Sequence, residues 1–557
     1  MAAIAKGFVR LPHGHVHYRY GGRGPVVVLL HDAPRSSILH LPNLEWLGEH
    51  YTVLALDIPG YGNSTPLSGE RPTIDDYSRA LAEALTALGI ERCGLYGHHT
   101  SAKIALRFAL DHPGRAVVTL LDGLALPDQE PDEAFLRRYL EQSAPAADGA
   151  HLASLWSRIL DSYRYFPWFE RSARTRLTVP LPDEAVLHEH ATDVLMAGSG
   201  WTSAYAAAQR FAAVTAIPSL RSPVVFMCRE DDVLCSHLER LPDPLPRGSR
   251  VERIAPDTAS WRVSTLEALR RAELPDAQWS PPPASAPRQG GELQRYVGLL
   301  HGQMRVRLYG DGGTPVLMLH EVPGSSAELR DLSMRLGSDR LVVAPDLPGL
   351  GESHPLPYPS LGTYVSALGE LVEELGLRAA DVVAHGLSTP FAIALAAHRP
   401  GLVRRLALDA VPWVRSRDRG RLLRGYCPAI RPDRHGAYLQ QIWQQLRDTE
   451  MSWPWFDRAP AAARHRDPDL DPERMQSVLV DIMKRLPSYG DAARAALAAA
   501  VRELLAAVRQ PVLLFNDPAD VRYRGTSRAL KRLANGSELP RPASAAQRTA
   551  LLRGFLD

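Results

Sequence analysis

The chain contains the same pattern twice. Gly14-His15-Val16-His17-Tyr18 leads through PVVVLLHDAPRSS and LALDIPGYGNSTPL to Gly97-His98-His99-Thr100-Ser101. The second half runs in the same order, from GQMRVRLYG through PVLMLHEVPGSS and VAPDLPGLGESHPL to Ala384-His385-Gly386-Leu387-Ser388. His31 pairs with His320 and Asp57 with Asp346 at one offset (320 − 31 = 346 − 57 = 289). After a two-residue contraction the offset is 287, which matches Gly89 with Gly376, Trp156 with Trp443 and Pro167-Trp168-Phe169 with Pro454-Trp455-Phe456. Such an internal repeat requires two units of one fold. At 557 residues the chain is too long for one ordinary domain, and at 45% hydrophobic each half can bury its own core. The register holds between Asp122 or Asp409 and the late strands, so both halves descend from one ancestor that already carried an insert there.

Within each half, short apolar runs alternate with helical patterns. Val26–Leu30, Val53–Leu56, Gly94–Tyr96, Val117–Leu121 and Val224–Met227 are predicted strands, interleaved with helices such as Ile74–Leu88 and Ala102–Leu110. The second half repeats this in Val316–Leu319, Leu341–Ala344, Val382–Ala384, Leu406–Leu408 and Val512–Phe515. Unbroken Val/Leu runs bounded by turn residues suit strands covered on both faces. The expected fold class is therefore α/β, with two domains, each a mostly parallel doubly wound sheet carrying a helical cap. The expected boundaries are 1–274 with a cap at 125–215, a linker at 275–295, and 296–557 with a cap at 412–505. The linker contains the Pro/Ala/Ser/Gly tract WSPPPASAPRQGG, Trp279 to Gly291, which cannot bury enough apolar surface to fold alone. The Ala-rich stretch Asp491 to Ala507 has helical periodicity and is expected to pack.

The totals narrow the function classes. A net charge of +2 gives no general attraction to nucleic acid or anionic membranes. No apolar run reaches the roughly 18–20 residues needed to cross a bilayer, and MAAIAKGFVRLPHG lacks the charged-then-apolar pattern of a signal peptide. The four cysteines, Cys93, Cys228, Cys235 and Cys427, are scattered without CxxC spacing and read as reduced core thiols. The expectation is a cytoplasmic protein acting on a small-molecule substrate or ligand, with no nucleic-acid or membrane partner and no cofactor; homo-oligomerisation is left open. No HxH or HxxxH set with a nearby carboxylate stands in a plausible place, and the side chains of the adjacent His98 and His99 are expected to diverge, so no metal is expected. DIPGYG and DLPGLG serve tight turns and carry no phosphate-loop signature.

The ordered motifs HDAPRSS and HEVPGSS, DIPGYGNS and DLPGLGES, then the two strand-to-helix elbows, resemble the α/β-hydrolase superfamily over nearly the whole of each half. The first half is similar to a branch with a G-x-H-T-G elbow. Ser388 imitates a nucleophile, but the proline after the following helix fixes the alignment: Pro113 follows His99 by 14 residues (113 − 99) and Pro400 follows Gly386 by 14 (400 − 386). Ser388 thus corresponds to Ser101, and the elbow tips are His99 and Gly386. The resemblance implies a nucleophile on a strained elbow, an oxyanion hole, a late histidine base and an acid. The acid persists as Asp232 or Asp520. The base does not: Ile254 to Ser260 fills its place, and no histidine follows His465. The loop glycine is replaced by Asp32 and Glu321, acidic side chains that oppose a developing oxyanion but can pair with a histidine or a cation. A serine acyl-enzyme is excluded.

His99 is the leading candidate, as a general acid or base with Asp232 or Asp32 as its orienting carboxylate; the competing reading is a ring plugging a dead pocket. Ala33, Thr100, Ser101, Trp168 and His31 are the candidate ligand-contacting residues, although His31 and His320 also suit bracing of the loop, Thr100 and Ser101 capping of the helix, and Trp168 and Trp455 helix packing. Asp122 and Asp409 read as turn residues, and Arg415–Arg434 as solvated surface. The functional expectation is an atypical enzyme acting on a small hydrophobic molecule, by His-assisted hydrolysis or lyase, decarboxylase or isomerase chemistry in the first half, with the second a degenerate structural partner. The alternative is an inactive pseudo-hydrolase serving as a ligand-binding or scaffold protein.

Overall fold

Eight strands alternate with helices in each half of the computed structural model, which describes residues 4–127, 132–276, 278–283 and 291–557. The first sheet comprises β1 (Ala5–Leu11), β2 (Gly14–Gly22), β3 (Val26–Leu30), β4 (Thr52–Leu56), β5 (Cys93–His98), β6 (Ala116–Asp122), β7 (Val224–Arg229) and β8 (Arg250–Ile254), in the order β1-β2-β4-β3-β5-β6-β7-β8. The second comprises β9 (Glu292–Leu299), β10 (Gly302–Tyr309), β11 (Val316–Leu319), β12 (Val342–Pro345), β13 (Ala380–His385), β14 (Val403–Asp409), β15 (Val512–Asn516) and β16 (Gly536–Pro540), in the same topology. In each sheet the two N-terminal strands pair antiparallel and the rest run parallel.

Both faces of the first sheet are dry. Val26, Val28 and Leu30 of β3 enter one core cluster, while Val27 and Leu29 enter another on the opposite face. The period of two along a wholly apolar strand is what a sheet sandwiched between helix layers requires. The acidic residue of each D-x-P-G-x-G turn is also structural. Asp57 accepts the N–H groups of Ser37 (2.7 Å) and Asn63 (2.9 Å) and pairs with His17 Nδ1 at 2.8 Å. A Cβ on Gly62 would stand 2.1 Å from its Oδ2, so only glycine lets the turn close on the carboxylate. Asp346 does the same for Ser326 (2.9 Å) and Glu352 (3.0 Å).

The inserts between β6 and β7 and between β14 and β15 share their internal construction. Isolated bridges join Tyr165 to Arg176 and Ser452 to Ala463, both offset by 287 (452 − 165 = 463 − 176). Trp168 Nε1 donates to the Tyr139 carbonyl at 3.0 Å, and Trp455 Nε1 to that of Tyr426 at 2.8 Å. Asp491–Ala507 is two helices, Asp491–Ala498 and Val501–Ala507, rather than one.

The chain divides into two compact units, residues 1–144 with 154–284 and residues 145–153 with 285–557. The units meet in sequence at 284/285. Residues 145–153, expected in the first cap, instead group with the second unit, in which Trp443 Nε1 donates to the Ala147 carbonyl at 3.2 Å. Trp279, at the start of the expected spacer, is docked on the first unit: its Nε1 donates to the Leu88 carbonyl at 2.8 Å and its ring meets Tyr20 edge-on at 5.3 Å. Residues 277 and 284–290 of the expected linker and 128–131 of the expected first cap lie outside the described residues. All four cysteines are buried and unbridged. Among the described residues no helix is long and apolar enough to cross a membrane.

Candidate active site

β5 ends at His98 and a helix, Thr100–Asp111, begins two residues later, so the turn between them is His99 alone. Its backbone (φ 48°, ψ −108°) lies outside the regions an L-residue adopts readily, at a cost of about 1–3 kcal/mol. Hydrogen bonds on both sides hold it: His99 N–H donates to the Asp122 carbonyl (2.9 Å) and Ala102 N–H to the His99 carbonyl (3.0 Å). Ser101 Oγ accepts from His98 N–H and donates to the Leu30 carbonyl, both at 2.9 Å. Ser388 makes the same contacts with His385 and Leu319, at 3.1 Å each, and Gly386 has φ +53°. His99 and Gly386 therefore occupy equivalent elbow tips. Ser101, one of the candidate ligand contacts, is wholly buried and its hydroxyl is spent on the main chain. The same correction applies to His31, also wholly buried: Nδ1 donates to the Asp32 carbonyl (2.8 Å) and Nε2 accepts Ile58 N–H (2.9 Å), bracing the loop.

His99 points between two carboxylates. Its Nε2 is 2.8 Å from Asp232 Oδ2 and its Nδ1 3.6 Å from Asp32 Oδ2. Burial opposes a charge on the ring, but the hydrogen bond to Asp232 and the nearby negative charge of Asp32 outweigh it and hold the imidazole well above its ordinary value. Burial likewise opposes ionisation of both carboxyls, and His99 more than compensates, holding both below the usual carboxylate range. Both directions favour an imidazolium flanked by two carboxylates. The side chains keep 25% (His99), 23% (Asp32) and 16% (Asp232) exposure despite this desolvation, so they face an accessible recess rather than solid core.

The oxyanion hole is already occupied. Asp32 Oδ1 accepts Ala33 N–H at 2.7 Å and, more loosely, Thr100 N–H at 3.4 Å. These are the two backbone donors that Ala33 and Thr100 would offer a ligand. In the second half Glu321 Oε1 takes the same pair, Val322 N–H at 3.0 Å and Leu387 N–H at 2.8 Å. A Cβ on Gly386 would sit 1.7 Å from Glu321 Oε2, so a side chain at this elbow would displace the carboxylate from where it lies.

Several contacts at the candidate site escaped sequence reasoning. The His98 and His99 rings, expected to diverge, stack at 4.0 Å with a 28° interplanar angle. One ligand atom each from Asp32, His98 and His99 comes within 4.8 Å of the others, a spacing that can hold a cation. However, an ion cannot lie in both planes of two nearly parallel stacked rings at bonding distance, so the arrangement fits a metal poorly. Asp122 and Asp409 are interior acceptors, not turn residues. Tyr96 Oη (2.7 Å) and Trp261 Nε1 (2.8 Å) donate to Asp122, and Arg548 Nη2 (2.9 Å) to Asp409. In the second half the persisting acid, Asp520, holds guanidinium groups instead of a histidine: Arg464 Nη2 at 2.9 Å and Arg522 Nε at 3.3 Å. The cap surrounds the first site with Tyr139, Tyr163, Tyr205 and His190, all close enough to feel the charge of Asp32. Trp168 is cap framework; Arg158 lies between its ring (4.8 Å) and that of Trp201 (4.7 Å).

Residues 25–177 and 314–422 match the family model described as the alpha/beta hydrolase fold. Among curated proteins the chain is similar to a fluoroacetate dehalogenase of Burkholderia sp., 35% identical over 138 residues, which is 22% of this chain and 45% of that protein. The chain spans less than half the length of the curated relatives it matches. Among solved structures it is similar to the enol-lactonase of Burkholderia xenovorans LB400 (17% identity, 47% of this chain and 99% of that one, TM-score 0.39). It is also similar to an epoxide hydrolase of Vigna radiata (22% identity, 47% and 97%, TM-score 0.38).

Proposed function

With the chain a member of the α/β-hydrolase superfamily in both of its halves, we propose that the first half is an atypical enzyme that works on a small molecule by proton transfer, without a covalent acyl intermediate, and that the second half has lost this chemistry. The observation that carries this reading is His99, partly exposed at the elbow tip and held between Asp232 at 2.8 Å and Asp32 at 3.6 Å. Nε2 is committed to Asp232, which fixes the ring. Nδ1 is too far from Asp32 for a strong hydrogen bond, so its proton is the one free to be offered to a ligand. An imidazolium there acts as general acid toward a carbonyl or leaving group, and Asp32 Oδ2 beside it accepts a proton from substrate or water. That pairing suits elimination, decarboxylation or isomerisation, and hydrolysis by an activated water. It does not suit oxyanion stabilisation by the loop, because Asp32 itself engages those N–H groups.

The decisive experiment is turnover of a metabolite panel, with fluoroacetate included because a similar protein carries that name, by wild type and His99→Ala. A loss of about 10²-fold or more in the variant is expected; equal rates, or no turnover of any compound by wild type, overturn the reading. The second reading, a ligand-binding pseudo-hydrolase, is favoured by the filled oxyanion holes in both halves. Binding of a panel compound without turnover would select it.

A further inference from the structure

The second half keeps a cavity beneath its cap. An inner chamber of about 80 Å³ and an outer cleft of about 240 Å³ adjoin, with Trp453 and Arg522 common to both walls. The inner wall is charge-balanced: Arg464 and Arg522 lie on Asp520, Arg474 lies 3.2 Å from Glu450, and Arg522 lies 3.4 Å from Glu321. The outer wall is not. Arg421 pairs with Asp457 at 3.0 Å, but among the described residues no carboxylate lies within 4.0 Å of the guanidinium of Arg415, Arg524 or Arg528. Arg524 Nη1 donates to the Ala461 carbonyl at 2.8 Å and Asp418 also lines the cleft, but arginines outnumber carboxylates on this wall, and that excess of positive charge forms a receptor for an acid group. Trp413 and Trp453 add two indole surfaces. Gly525 fixes the first of these, since a Cβ there would stand 2.4 Å from Trp413 Cβ.

A second, independent feature points to a ligand. Gln445 lines the inner chamber, is 5% exposed, and its Oε1 has no hydrogen-bond partner. A buried acceptor left unmade costs about 1–3 kcal/mol, a cost that a ligand donor removes. At the matching position of the first half (445 − 287 = 158) stands Arg158, whose guanidinium is bonded to the main chain of its own cap at Tyr139. Gln445 makes no such contact, so its amide is left to the chamber.

We propose that the second half binds a small hydroxylated aromatic acid, with its carboxylate on Arg415, Arg524 and Arg528, its ring against Trp413 and Trp453, and its hydroxyl reaching Gln445. A cleft of 240 Å³ suits a single ring, below the usual range for drug-sized ligands. Gly386 supplies no nucleophile and Glu321 covers both loop donors, so the compound is held and not turned over.

The test is calorimetric titration of the full chain with 4-hydroxybenzoate, alongside benzoate, which lacks the hydroxyl, and methyl 4-hydroxybenzoate, which lacks the charge. Arg524 and Arg528 are exposed, so Arg524→Ala/Arg528→Ala should fold, as circular dichroism checks. It should weaken 4-hydroxybenzoate roughly tenfold or more, one charge-assisted hydrogen bond being worth about that factor. The methyl ester should bind weakly to wild type. Gln445→Leu should bring 4-hydroxybenzoate to the affinity of benzoate and leave benzoate unchanged. No heat with any of the three compounds, or wild-type affinity in the double arginine variant, overturns the proposal. So does binding that is lost in His99→Ala, which would place the compound in the first half; the proposal is otherwise independent of His99.

Discussion

Glu321 and Leu387, 66 residues apart in sequence, are joined by a hydrogen bond in which the N–H following the elbow donates at 2.8 Å to a carboxylate oxygen of the loop. Asp32 makes the looser counterpart with Thr100 at 3.4 Å. In both halves a side chain of the protein stands where the oxygen of a reacting carbonyl would be stabilised. The acidic loop residue and the elbow tip are thus structurally coupled in each half.

Gly386→Ala tests this coupling. The new Cβ would meet Glu321 Oε2 at 1.7 Å on a backbone with φ +53°. The variant should lose about 2 kcal/mol, from overpacking together with backbone strain. In a Glu321→Gly background the steric part disappears and only the backbone cost, about 1 kcal/mol, should remain. Urea melts of the four proteins measure the cycle, and strictly additive effects would refute the coupling.

The imidazolium of His99 predicts a loss of stability on the alkaline side. Its folded pKa is raised well above 6.5, so the stabilisation is complete below pH 6.5 and is lost as pH rises through the raised value. Viewed from Asp232, held below 3.8, the same pair is lost as pH falls through that depressed value. Thermal melts of wild type should therefore decline through the alkaline range while His99→Phe stays flatter. Nitrogen NMR of the ring should show it doubly protonated at neutral pH; a neutral ring there would sink the ion-pair description.

His31 and His320 act in the opposite direction. Each Nε2 accepts a main-chain N–H, from Ile58 at 2.9 Å and Leu347 at 3.0 Å, and burial lowers both pKa values from 6.5. Between the lowered value and pH 6.5 the unfolded chain binds protons that the folded one refuses, so stability is lost as pH falls through that window. His31→Asn should be less stable at neutral pH and show a shallower acid slope. An unchanged slope would remove His31 from the acid response.

Asp57→Ala should be among the costliest single changes in the first half. The carboxylate serves Ser37 N–H, Asn63 N–H and His17 Nδ1 at 2.7 to 2.9 Å in a buried setting. Leaving those donors unpaired should cost at least about 3 kcal/mol in chemical denaturation. Asp57→Asn, which keeps part of the acceptor set, should cost less, and equal losses would mean that packing, not hydrogen bonding, is what the residue provides.

Periodicity and motif spacing made the five central strands of each half and the elbow alignment legible, and the resemblance offered both Asp232 and Asp32 as partners of His99; the outer strands β1, β2, β8, β9, β10 and β16 carried no such signal. The proline spacing correctly identified Ser388 as the partner of Ser101, and both hydroxyls hold the elbow backbone. Less legible were contacts set by side-chain rotamers across distant segments. That Asp32 folds back onto Ala33 N–H depends on the loop path, and that Arg464 reaches Asp520 depends on how the cap seats. The stacking of His98 on His99 depends on backbone angles that no residue pattern encodes. Asp122 looked like a turn residue because the tyrosine and tryptophan that donate to it, Tyr96 and Trp261, lie 26 and 139 residues away.

The filled hole of the second half also constrains its elbow. A serine at position 386 would place its Cβ 1.7 Å from Glu321 Oε2, so the carboxylate would have to swing away from its two backbone donors to make room. Removing the glutamate first would free two backbone donors but leave them facing a glycine with nothing to attack. The loop carboxylate and the bare elbow therefore interlock: a change at either position leaves the other unmatched.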